Sequence, residues 1–101
     1  NEEATGQKIQ ELQSIEQTLQ TIIMQKQAFL LELEETEKAL SQLQTSGEEV
    51  YKLIGQLLIK SNKSEVVKDL DKKKEILDLR IKNLEKQEKS IQPLLMPLQL
   101  Y

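Results

Sequence analysis

The stretch Val50-Tyr51-Lys52-Leu53-Ile54-Gly55-Gln56-Leu57-Leu58-Ile59-Lys60 decides how this 101-residue chain folds. It is short, β-branched in part and divided by a glycine, which reads as a β-hairpin over 50–60. Gly55-Gln56 makes a two-residue turn whose first position tolerates positive φ. Pairing then sets Ile54 against Leu57, Leu53 against Leu58, Lys52 against Ile59 and Tyr51 against Lys60. Both faces of such a ribbon carry large apolar side chains. An isolated two-stranded ribbon is barely stable in water and leaves two edges unpaired. Burying each exposed large apolar side chain is worth roughly 1.5 to 3 kcal/mol. Val50, Tyr51, Leu53, Ile54, Gly55, Leu57, Leu58 and Ile59 are therefore read as an oligomerisation surface.

On the N-terminal side, 7–44 lacks proline and glycine, and its apolar residues recur three and four apart. A heptad places Leu12, Leu19, Lys26, Leu33 and Leu40 at a, and Ile15, Ile22, Phe29, Thr36 and Leu43 at d. Such a helix would run roughly 55 to 60 Å at about 1.5 Å per residue. Gly47 is read as a left-handed cap closing it. On the C-terminal side, Ser61-Asn62-Lys63-Ser64 offers caps, either Ser64 or Asn62, for a second helix over 64–92. Its seam runs Val67, Lys74, Ile81, Glu88 at a and Leu70, Leu77, Leu84, Ile91 at d. Pro93 and Pro97 forbid regular continuation, leaving 93–101 as a tail.

The two seams predict facing partners on either side of the turn: Leu40 with Leu70, Leu33 with Leu77, Leu19 with Ile91, Leu43 with Val67 and Phe29 with Ile81. Charges fit this register unevenly, since Glu32 and Arg80 would attract whereas Glu37 and Asp71 would repel. The polar seam residues Lys26, Thr36, Lys74 and Glu88 read as register devices or splayed positions. The expected fold class is mainly α: a long antiparallel coiled-coil helical hairpin with a single β-hairpin between the two helices. The whole of 1–101 is read as one domain.

Composition agrees. About half of the residues are Ala, Glu, Lys, Leu or Arg, the share that marks coiled coils and long helices. Apolar content of 38% with only 3% aromatics is sparse for a chain that must surround its own centre. With no cysteine, disulfides and thiolate sites are excluded. With no histidine and no recognisable nucleophile–base pair, catalysis is not expected. Gly6, Gly47 and Gly55 lie too far apart to cradle a phosphate, so no nucleotide or other cofactor is expected. Glu34 with Glu37, and Glu85 with Glu88, sit three apart but read as ordinary helix solvation rather than as metal ligands. Lys68, Lys72, Lys73 and Lys74 could attract nucleic acid, against a net charge of −3 and with no interleaved aromatic residue. No apolar run is long enough for a membrane span and no leader is evident, so a cytoplasmic protein is expected.

The segments Gln25-Lys26-Gln27, Glu34-Glu35-Thr36-Glu37-Lys38-Ala39-Leu40, Val50-Tyr51-Lys52-Leu53-Ile54-Gly55 with Leu58-Ile59-Lys60, and Leu79-Arg80-Ile81-Lys82-Asn83-Leu84-Glu85-Lys86-Gln87-Glu88 resemble the prefoldin family. The hairpin words are the specific part, because any coiled coil shares the heptads. One hairpin rather than two is similar to the beta class, and most to its archaeal form. The resemblance implies a hexamer of two alpha and four beta subunits whose hairpins join in β-barrels. It also implies an ATP-independent chaperone that holds unfolded clients at coiled-coil tips and passes them to a group II chaperonin.

The residues supply a means for that role. Ile9, Leu12, Ile15 and Ile91, with Leu94, Leu95, Met96, Leu98, Leu100 and Tyr101 of the tail, are expected to gather at one tip and offer apolar surface to clients. Flexible Leu and Met side chains suit guests of no fixed shape. The competing reading is a structural coiled-coil adaptor with one dedicated partner. Nucleic-acid binding stands behind both.

Overall fold

The computed structural model describes residues 1–95. Its elements run α1 (Glu2–Leu43), β1 (Glu49–Ile54), β2 (Leu57–Asn62), α2 (Lys63–Ile91) and a 3-10 turn at Gln92–Leu95. The chain divides into two compact units: Asn1–Phe29 with the segment from Arg80 onward, and Leu30–Leu79.

Each helix boundary has a local cause. α1 begins five residues earlier than the proline- and glycine-free run, because Asn1 caps it: its Oδ1 accepts from the Ala4 N–H at 2.7 Å. Gly6 is carried inside that first stretch. The C-terminus of α1 corrects the reading of Gly47. Gly55 is the one residue with positive φ, at 61°, among those described, so Gly47 makes no left-handed cap. Instead the last turn tightens, with the N–H groups of Gln44, Thr45 and Ser46 donating to carbonyls three residues back. The Thr45 and Ser46 hydroxyls donate to the carbonyls of Gln42 and Leu43. α1 has no basic residue in its own last turn, and Lys63 fills that role from α2, its Nζ donating to Ser46 O at 3.3 Å and Gln44 O at 3.5 Å.

Of the two caps offered for α2, Asn62 is used: its Oδ1 accepts from the Glu65 N–H at 2.8 Å, so the helix begins at Lys63. Pro93 ends it, and the chain leaves in a 3-10 turn.

In the termini-bearing unit the core is Leu19 and Ile22 of α1 with Ile81 and Leu84 of α2, joined by Leu95. Arg80 lies over the Phe29 ring, 5.6 Å from its centroid. Lys26 and Glu88, two of the polar seam residues, answer each other at 2.8 Å with about four-fifths of each side chain shielded from water. The Glu88 hydrogen bond holds the Lys26 ammonium above its ordinary pKa, against the opposing pull of desolvation.

In the hairpin-bearing unit Leu77 is 2% exposed and Thr36 3%. Thr36 is satisfied locally, its hydroxyl donating to the Glu32 carbonyl at 2.8 Å. Glu32 itself pairs with Lys73, one member of the lysine cluster, at 3.1 Å.

Candidate functional site

β1 and β2 pair antiparallel in the expected register, and the ladder continues beyond it to Val50↔Ser61 and Glu49↔Asn62. Gly55 opens the turn with positive φ and Gln56 follows with negative φ, the type II′ pattern that suits the right-handed twist of a hairpin.

Cross-strand partners share a face. One face carries Val50, Lys52, Ile54, Leu57, Ile59 and Ser61; the other carries Glu49, Tyr51, Leu53, Leu58, Lys60 and Asn62. The faces differ in what they meet. On the first, the Lys52 ammonium donates to Asp69 Oδ2 at 2.8 Å and lies 3.5 Å from Glu65 Oε1, both on α2. The Ser61 hydroxyl donates to Glu65 at 3.3 Å. The Asp69 hydrogen bond raises the Lys52 pKa, and the same bond holds the Asp69 carboxyl below its usual range. Val50, Lys52 and Ser61 are accordingly half-buried.

Among the described residues nothing of the kind covers the second face. Tyr51 is 61% exposed, Leu53 69% and Leu58 71%. The turn end of the first face is open as well, with Ile54, Leu57 and Ile59 all exposed. Among the described residues the sheet has only these two strands, so the outer edge of each keeps its backbone groups unpaired.

The residues read as a client-binding tip fall into four groups. Ile9 and Leu94 are half exposed, while Leu12, Ile15 and Ile91 are half-buried in the seam. Leu95 is 5% exposed, because the 3-10 turn at Gln92–Leu95 folds it inward; it packs instead of being presented. Met96, Leu98, Leu100 and Tyr101 lie outside the described residues.

The Lys52 clamp is a feature that residue patterning missed. Its signal was available: a lysine between Tyr51 and Leu53 in a strand rich in apolar residues, with Glu65 and Asp69 four apart on the helix that follows. Of the acidic pairs weighed as metal ligands, Glu34 pairs with Lys38 at 3.3 Å and Glu88 with Lys26. No described helix is long and apolar enough to cross a membrane.

Two helices with an open β-ribbon between them define a class of chain built to be completed by other subunits. Comparison with known proteins gives the class its family. A family model for prefoldin subunits matches residues 6–98. The prefoldin subunit beta of Archaeoglobus fulgidus is 40% identical over 85 residues, 82% of this chain and 73% of that protein. That of Thermococcus kodakarensis is 40% identical over 83 residues, 80% of this chain and 71% of that protein. The crystal structure of the prefoldin beta subunit from Thermococcus strain KS-1 superposes with a TM-score of 0.82 at 36% identity, covering 94% of this chain and 85% of that one. The chain belongs to the prefoldin family and is of the beta-subunit kind.

Proposed function

We propose that this chain is a beta-class subunit of a hexameric holdase that binds unfolded proteins without ATP and hands them to a group II chaperonin. The observation that carries this is the hairpin: a correctly turned ribbon, anchored to its own helix on one face, with Tyr51, Leu53 and Leu58 left in water on the other. Exposed side chains of that size beside unpaired strand edges favour docking with ribbons of other subunits. An alpha-class prefoldin subunit and further beta subunits, in a two-to-four ratio, are the partners this reading names. The whole chain acts as one prefoldin-like module in the cytoplasm.

Clients would be held at the end of the termini-bearing unit, where Ile9 and Leu94 already face water and Leu12, Ile15 and Ile91 lie just beneath. Binding by apolar burial needs neither catalysis nor nucleotide.

The test mixes the chain with an alpha-class subunit and follows aggregation of a denatured client by light scattering in the absence of ATP. Slowed aggregation is expected. An assembly that forms at hexamer mass yet leaves aggregation unchanged would overturn the holdase reading, and one tight partner with no protection of unrelated clients would install the adaptor reading in its place.

A further inference from the structure

The termini-bearing unit has two dissimilar outer surfaces. Over residues 17–29, α1 holds a single charged side chain, Lys26, and that one is turned into the seam and paired with Glu88. Acidic residues bracket the window, Glu11 and Glu16 before it, Glu32, Glu34, Glu35 and Glu37 after it. α2 in the same unit is different: Lys82, Glu85, Lys86 and Lys89 are all exposed. In a chain with 31% charged residues, more than three turns of exposed helix without a free charge is a local departure.

Gln17, Gln20, Thr21, Met24, Gln27 and Ala28 form this neutral face, and all are exposed, Met24 to 68%. Depletion of Lys, Glu and Asp together with an exposed Met is the compositional mark of a contact surface rather than of a solvated one. The Thr21 hydroxyl turns back to the Gln17 carbonyl at 3.1 Å. The three glutamine amides make no hydrogen bond to other side chains or to backbone among the described residues. Each amide presents both donors and an acceptor.

Size decides between occupants. The window is about 20 Å long and about 10 Å wide, on the order of 200 Å², against roughly 800 Å² per partner in a stable complex of folded proteins. It also lacks the aromatic or Arg anchors around which folded partners build affinity. We infer that this face of α1 binds extended, non-native polypeptide, the glutamine amides bonding client backbone N–H and C=O groups while Met24 adapts to the side chains it meets. It is a second holding surface beside the chain-end residues, and it takes clients without regard to the sign of their charge. The inference rests on the holdase reading.

The test uses the full chain assembled with an alpha-class prefoldin subunit and a labelled, chemically unfolded client, with binding read by fluorescence anisotropy. If the parent assembly holds no client, the holdase reading fails and this inference with it, before any variant is compared. If the parent holds client, Gln20→Glu with Met24→Glu and Gln20→Lys with Met24→Lys should each weaken it about ten-fold, because either charge must be desolvated on contact. Lys82→Gln with Lys86→Gln should change it less than about two-fold. Equal binding by the charged variants, or weakening by one sign and strengthening by the other, would overturn the inference. A photo-crosslinking residue in place of Met24 gives a second reading that does not depend on those variants assembling. Adducts with client are expected, and adducts with sibling or alpha-class subunits instead would assign the face to assembly and overturn it.

Discussion

Lys52 stands among apolar neighbours on β1, and its ammonium is the one that reaches α2, 2.8 Å from Asp69. The sign of its pH dependence follows from the two shifts. Asp69 is held below 3.8, so its share of the stabilisation is complete above that value and is lost as pH falls through its lower folded pKa. Lys52 is held above 10.5, so its share is complete below that value and is lost as pH rises through its higher folded pKa. The clamp is therefore intact across the whole neutral range. In Lys52→Met the Asp69 carboxyl should titrate higher than in the parent, as followed by carbon-13 NMR; an unmoved titration would mean that the contact is not made in solution. Gly55 gives a second residue-scale expectation. With φ at 61° and open space where a Cβ would sit, Gly55→Val should cost about 1 to 2 kcal/mol through backbone strain alone, and Gly55→Asn clearly less, as read by chemical denaturation. Burial separates two leucines only two positions apart. Leu77→Ala should cost about 2 to 5 kcal/mol and Leu79→Ala about 0.5 or less, since Leu77 is 2% exposed and Leu79 61%.

At the scale of elements, the paired helices and the hairpin register were both legible, the first from three-and-four spacing and the second from one glycine set between two apolar runs. What patterning could not reach was the choice among equivalent local solutions. Asn62 and Ser64 are both good caps, and only the placement of the chain selects Asn62. Gly47 is a plausible left-handed cap until Lys63 comes round from α2 to bond the Gln44 and Ser46 carbonyls just past α1, leaving that conformation unneeded. Lys26 and Glu88 read separately as faults in two seams, and they become one bridge when the helices meet. Replacing both with leucine should raise the melting midpoint, whereas Glu88→Leu alone should lower it by leaving the lysine in the seam without its partner. Circular dichroism melts of the two variants check the order, and a single variant as stable as the double one would show that the bridge does not couple the helices.

For the whole molecule, assembly is the property at stake. Introducing charge at both Leu53 and Leu58, which form a cross-strand pair on the uncovered face, should drop the particle mass in light scattering while helix content stays near that of the parent. Retention of full mass would place the subunit contacts elsewhere. The exposed apolar hairpin was readable because too much apolar surface in too short a ribbon cannot bury itself. Burial at the chain end was not readable: hydropathy marks Leu95 as clearly as Leu94, and it takes the turn at Gln92–Leu95 to bury one and leave the other half in water. The neutral stretch of α1 carries little hydropathy signal and emerges only when its charges are sorted by the direction they face.

The grip of Lys52 on Asp69 and Glu65 reaches beyond the subunit that makes it. A ribbon tethered to its own helix is aimed before any neighbour is encountered, so a docking event has less internal freedom to quench. A docking partner then meets a ready-oriented strand instead of a searching one, and the helix that follows inherits its direction from the same three side chains.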